Sequence, residues 1–155
     1  RWLSDYALND AVAWLAASKT PGLLWFSSRA FGAALKTRGV QVFGEGTEIF
    51  APARPVAASI DVHGTGRNLQ AWHRQAVYGC PSAGATWEQL IGRTHREGQA
   101  ADAIDVSVFM PTQDIRASMT QAISDAKYVH ATFGQPQRLL FASWIDELPG
   151  KGDLP

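Results

Sequence analysis

The chain has 155 residues, of which 46% are hydrophobic and 18% charged, and its formal net charge is zero. That length and composition are ordinary for a globular domain with a sizeable core. A neutral balance gives no basic footprint over the whole chain, no run of about 18 uncharged apolar residues marks a spanning helix, and the single Cys80 excludes an internal disulfide. Cys80 reads as a small buried hydrophobe rather than a nucleophile, and it fits a reducing cytoplasm. No signal-peptide pattern is seen. The chain opens on Arg1 rather than Met and is read as a piece of something longer. Charge is unevenly spread. Arg67, Arg74, Arg93 and Arg96 face only Glu88 and Glu97 between Val62 and Gln99, so a local basic face is expected.

In chain order, Leu3, Tyr6, Ala7, Asp10 and Trp14 partly follow helical spacing. With Val12, Leu15 and Ala16 they predict an amphipathic helix ending near Lys19. Pro21-Gly22 breaks it. Leu23-Leu24-Trp25-Phe26 is a short continuous apolar run, as in a buried parallel strand. Ser27-Ser28-Arg29 follows at the C-terminal end of that strand, and a helix from about Ala30 to Thr37 is closed by Gly39. Val40 to Phe43 alternates and predicts a second strand. Gly44-Glu45-Gly46-Thr47 is a turn, not a phosphate loop, because no Lys-Ser/Thr follows at the required spacing. Val56 to Asp61 predicts a third strand. His63-Gly64-Thr65-Gly66-Arg67-Asn68-Leu69-Gln70 then turns into a short helix. Glycines there let backbone N–H groups approach an anion closely. Gln75 to Gly79 predicts a fourth strand.

Thr86 to Gln99 reads Thr-Trp-Glu-Gln-Leu-Ile-Gly-Arg-Thr-His-Arg-Glu-Gly-Gln. Thr86 with Gln89 three residues later is a capping-box signature, so a helix is predicted from Trp87, with Gly98 as its stop. Trp87, Leu90, Ile91 and Thr94 form a mostly apolar stripe. Gln89, Gly92, Arg93 and Arg96 repeat that spacing on the other side. A core does not want two guanidinium groups, an amide and a gap, whereas a site gripping a polyanion does: Arg matches phosphate oxygens two at a time. The same residues also fit a plainer reading, solvated arginines with Gln89 as a cap. Ala103 to Met110 alternates as a fifth strand. Thr112 to about Thr132 predicts a helix with Ile115, Met119, Ala122, Ile123 and Ala126 on its apolar face, broken by Gly134 and Pro136. Gln137 to Ile145 fits helix or strand, and residues 149–155 should fray. The four histidines lack metal-ligand spacing, so no metal site is expected, and there is no G-x-S-x-G signature.

Gln89-x-x-Gly92-Arg93-x-x-Arg96 through Gln99 resembles motif VI (about 86–99) of superfamily 2 helicases, in the form closest to Swi/Snf-type ATPases and their bacterial and phage relatives. The strand–turn–helix at about 23–39 resembles motif IV. Gly-x-Gly-x-Asn-Leu, within about 59–70, resembles motif V, with His63 where the family has its first Gly. Cys80-Pro81-Ser82 stands where the family has an Asp-x-x-Trp-Asn-Pro turn, without the Asp or the Trp-Asn. The resemblance implies an α/β, RecA-like three-layer domain over 1–148, with a mainly parallel sheet flanked by helices. It implies the second motor lobe of an ATP-dependent DNA helicase or translocase. Arg96 and Arg93 match the catalytic arginine fingers, and Gln89, Gly64, Gly66 and Asn68 the nucleotide-side positions. Ser28, Arg29, Ser59 and Arg67 match positions that touch the nucleic-acid backbone. ATP with Mg²⁺ would be held mainly by a first RecA-like lobe of the same polypeptide, because no Walker A lysine or D-E-x-H box occurs here, and this chain alone would not hydrolyse it. Asp146-Glu147 lies in the wrong order to be motif II. The partner nucleic acid implied is duplex DNA, without a membrane, in the cytoplasm of a bacterial or phage-infected cell. A reading of a different class remains: a non-catalytic nucleic-acid-binding or partner-docking domain that kept the RecA-like fold. Trp72 and Trp87 are read as core, with base stacking as the other option.

Overall fold

The structure is a computed structural model that describes residues 5–49, 54–64 and 69–142. Gly66, Arg67 and Asn68 lie outside the described residues, as do Asp146-Glu147 and the 149–155 tail. The chain forms two compact units. The first is Arg1–Gly79 with Arg93–Phe109, and the second is Cys80–Gly92 with Met110–Pro155.

The first unit holds five parallel strands: β1 (Gly22–Phe26), β2 (Val42–Phe43), β3 (Val56–Ser59), β4 (Arg74–Tyr78) and β5 (Asp105–Phe109), in the order β2-β3-β1-β4-β5. The expected α/β class with a parallel sheet is therefore what the chain adopts. β1 is central and buried at every position, as its unbroken apolar run requires. Side chains alternate across each strand. On one face Leu24, Phe26, Ala57, Ala76 and Tyr78 pack with Leu8, Ala11 and Leu15 of α1 (Tyr6–Ala16) and with Phe31 and Leu35 of α2 (Arg29–Thr37). Each large apolar side chain buried this way contributes about 1.5–3 kcal/mol. The other parity carries Leu23, Trp25, Val56, Ala58, Gln75 and Val77, all buried as well. Phe26 is level with Ser59 and Tyr78, and Tyr78 with Phe109, so the strands end along one edge.

Several boundaries differ from the sequence expectations. α1 stops at Ala16 rather than near Lys19, and β2 keeps only two residues. β3 stops at Ser59 instead of reaching Asp61. The chain turns at once into α3 (Ile60–His63), where Gly64 N donates to Ile60 O at 2.8 Å. That helical turn precedes the glycines, and the short helix expected after them falls largely on residues 65–68, which lie outside the described residues.

The largest revision concerns α4 (Gly84–Thr94), which starts before Thr86 and ends before Gly98. Thr86 is inside the helix and caps nothing. A carboxylate from another helix takes that role: Asp125 Oδ2 of α5 (Gln113–Phe133) accepts from Gly84 N at 3.4 Å. Gly84 is required at this contact, because a Cβ there would lie 2.8 Å from Ala122 O and 3.0 Å from Ala126 N. The far end stops at Thr94 because its carbonyls find partners outside the helix: Arg93 O accepts from Leu69 N at 3.0 Å and Thr94 O from Arg96 N at 3.2 Å. Arg96 therefore lies in the turn beyond the helix, not on its stripe. The apolar stripe itself holds, with Trp87, Leu90, Ile91 and Thr94 all buried.

In the second unit α5 follows its predicted span. Thr112 Oγ1 accepts from Ile115 N, and Gly134 ends the helix at φ 65 in the left-handed region. Met119, Ala122 and Ala126 are its buried face. A 3₁₀ turn at Arg138–Phe141 occupies part of the ambiguous stretch. Glu88 on α4 accepts from Arg138 N at 2.6 Å and pairs with the Arg138 guanidinium. Trp87 Nε1 donates to Pro81 O at 2.9 Å. Trp72 and Trp87 are 1% and 0% exposed, so neither offers a face for base stacking. Among the described residues no helix is long and apolar enough to cross a membrane.

Candidate functional site

In the first unit the sequence candidates fall in two places. The first is the edge where the parallel strands end. The order β2-β3-β1-β4-β5 sends the chain one way after β1 and the other way after β4, and ligands of open parallel sheets sit outside such a reversal. Ser27, Ser28 and Arg29 follow β1, and Gly79 follows β4. Gly79 has φ 94, and a Cβ on it would come within 2.5 Å of Ser27 Oγ, so both the backbone and the close approach require glycine. Ser28 is the N-cap of α2, with its Oγ accepting from Phe31 N at 3.3 Å. Arg29 points into solvent, where it meets Glu45 at 3.2 Å with the two side chains 92% and 80% exposed. Glu45 sits in the Gly44–Thr47 turn, which Thr47 Oγ1 closes on Gly44 N and O. Ser59 is level with Phe26 and buried.

His63, the residue that departs from the family pattern, is buried, and its Nε2 lies 3.2 Å from Gly44 O. A carbonyl only accepts, so Nε2 carries the proton in that bond. The ring thus ties α3 to the turn that presents Glu45.

The second place is the end of α4. Arg93 is half-buried, and its Nε donates to Gly64 O at 3.3 Å. This bond joins the arginine segment to the glycine segment after β3, the two stretches whose order in the sequence suggested a single site. Burial lowers the pKa of Arg93, and the nearby Arg96 charge lowers it further. Arg stays cationic even so. Like charges repel, and an anion near both would relieve that repulsion. Arg96 is exposed, with its backbone N on Thr94 O and its O accepting from Gln99 N at 3.0 Å. Gln89, one turn earlier on α4, belongs to the second unit and is exposed.

The donor set fits one chemistry well. Guanidinium groups only donate, so they suit phosphate oxygens and not a metal ion. Among the described residues no group of three or more His, Cys, Asp or Glu is placed to hold a metal.

Two residues that matter here were missed in the sequence. Gln75 Oε1 accepts from Trp25 Nε1 at 2.9 Å, and Gln75 Nε2 donates to Thr94 Oγ1 at 2.6 Å. In the sequence Thr94 reads only as part of an apolar stripe. The available signal was a lone amide inside an otherwise apolar strand.

The sheet order and the loops gathered at its edge define a RecA-like α/β lobe. Of solved structures, the crystal structure of the C-terminal part of the Fun30 ATPase domain is similar to this chain at 14% identity and TM-score 0.56. The likeness covers 75% of this chain and 44% of that one, so this chain spans less than half of that structure's length, and at this identity the similarity is one of fold. No protein-family model matches the chain, and no curated protein matches it.

Proposed function

We propose that the chain is the second motor lobe of an ATP-dependent DNA translocase or helicase of the Swi/Snf-type branch of superfamily 2. The observation that carries this reading is the placement of Arg93 against Gly64 with Arg96 beside it, on a fold shared with the C-terminal part of an ATPase domain. In this reading ATP and Mg²⁺ are held mainly by a first lobe of the same polypeptide. Arg93 and Arg96 then meet the charge that develops on the transferring phosphoryl group. Such a finger is worth roughly 10³–10⁵ in rate. Gln89, Gly64, Gly66 and Asn68 complete the nucleotide side. Ser28, Arg29, Ser59 and Arg67 touch the backbone of duplex DNA, in the cytoplasm of a bacterial or phage-infected cell.

The test is ATP turnover by the full-length polypeptide, with and without duplex DNA, for wild type and Arg96→Ala. DNA-stimulated turnover that Arg96→Ala lowers by about 10³-fold or more, with the fold intact, supports the motor. Wild-type turnover in Arg96→Ala sinks it. A non-catalytic nucleic-acid-binding module with a RecA-like fold would then take its place.

A further inference from the structure

The buried polar chain Trp25–Gln75–Thr94 asks for an explanation that packing does not supply. Trp25, Gln75 and Thr94 are 0%, 1% and 0% exposed. A buried amide that loses a partner costs about 1–3 kcal/mol, and an apolar residue of the same shape would fill the space without that demand. Gln75 therefore carries a risk that β4 could have avoided.

What it gains is a grip on one point. Thr94 is the last residue of α4 and stands directly after Arg93. Its hydroxyl is held from the sheet by Gln75, and its carbonyl accepts from Arg96 N at 3.2 Å and from Gln99 Nε2 at 3.0 Å. Arg93 O is held by Leu69 N. Successive residues of a helix are turned by about 100°, so fixing the azimuth of Thr94 fixes that of Arg93. The turn from Thr94 to Arg96 inherits the same reference.

We propose that Gln75 is a positioning residue for the Arg93–Arg96 pair: through Thr94 it sets the rotation of the last turn of α4, and so aims both guanidinium groups at a nucleotide phosphate. The inference rests on the motor reading above and deepens it. Gln75 touches no substrate. It acts only through Thr94, and its partner Trp25 keeps its amide from flipping, because the indole N–H can only donate and so selects Oε1.

The experiment uses the full-length polypeptide and measures kcat and KM for ATP with duplex DNA, together with Tm. The variants are Thr94→Val, Thr94→Ser, Gln75→Leu and Arg96→Ala, plus the Thr94→Val/Arg96→Ala double variant. Thr94→Val keeps the shape and loses the hydroxyl. It should lower kcat about 10- to 100-fold, the scale on which small misplacements act, with KM changed less than about threefold. Thr94→Ser should restore most of kcat. The double variant should lose less than the product of the two single losses, because Arg96, part of what Thr94 positions, is already gone. Should Gln75→Leu fail to fold, the Thr94 pair decides. If Arg96→Ala loses turnover and Thr94→Val does not, the positioning role is overturned and the motor stands. If Thr94→Val and Thr94→Ser lose kcat and Tm in proportion, the chain is structural only and the proposal is overturned. If Arg96→Ala turns over ATP like wild type, the motor reading falls and takes this inference with it.

Discussion

Arg29 and Arg93 are the same residue type in two unlike settings. Arg29 stands 92% exposed beyond β1, paired with a carboxylate that is 80% exposed. Arg93 is half-buried at the end of α4, bonded to the Gly64 carbonyl, with its pKa lowered by burial and by Arg96. Exposed ion pairs contribute only about 0–1 kcal/mol because solvent screens them and long side chains lose freedom. The lesson is that one arginine is adaptable and the other is held. In the motor proposed above, the first would suit a backbone that slides past and the second a reaction that needs fixed charge.

Substitutions can break or sharpen this contrast. Within this contrast the largest effect should come from Arg93→Ala in the full-length polypeptide. Turnover should fall about 10²–10³-fold, whereas Arg29→Ala should leave saturated turnover within about threefold and weaken duplex binding instead. Equal losses from both in a turnover assay would erase the distinction. Next comes Gln75→Leu, which removes the acceptor of Trp25 Nε1 and the donor to Thr94 Oγ1. It should cost about 2–4 kcal/mol in urea unfolding of this chain, and a cost below about 0.5 kcal/mol would show the buried chain to be dispensable. Smaller still is Glu45→Gln, which frees Arg29 of its carboxylate. Unfolding stability should move by less than about 0.5 kcal/mol, while duplex affinity at low salt rises a few-fold, an increase that should vanish in an Arg29→Gln background.

A separate test concerns Cys80, whose thiol burial pushes up to about 12 from an ordinary 9.0. A raised pKa means that the unfolded chain loses its proton first. The stability this represents is complete below about pH 9 and is lost as pH rises toward 12. Stability from urea unfolding should therefore decline between pH 8 and 10 more steeply in wild type than in Cys80→Ala, by up to about 1 kcal/mol. Identical slopes would place the thiol in water. Tyr78, whose hydroxyl donates to Asp10 and whose pKa is also raised, titrates in both proteins and cancels in the difference.

Much of the sheet was legible in the sequence because its signals are local. The run Leu23–Phe26 reads as a buried parallel strand from its unbroken apolar character and the Pro-Gly before it, and β5 followed from its alternation. The ends of α4 were not legible. Thr86 and Gln89 form a convincing capping pair in the sequence, yet Asp125, far away in the chain, supplies the acceptor at Gly84. Leu69 N likewise takes Arg93 O and ends the helix before Gly98. Both are tertiary hydrogen bonds that no periodicity encodes. The site was half legible. The motifs pointed to Arg93, Arg96 and the glycine segment. Gln75 escaped notice because an amide within apolar residues has no spacing pattern of its own.

The central position of β1 also bears on how the chain is made. Its two neighbours are β3 and β4, and none of its pairing is with a strand that precedes it. During synthesis Leu23, Leu24, Trp25 and Phe26 leave the ribosome with no strand to pair with. They wait until Val56–Ser59 has been added on one side and Arg74–Tyr78 on the other. At about 5–20 residues per second that is an interval of seconds. In it, of the described elements on this sheet face, α1 and α2 are the ones already made that can cover this apolar stretch. Slowing translation between Phe26 and Arg74 should therefore raise the aggregated fraction of the nascent protein, whereas a pause after Phe109, when every strand has its partner, should not.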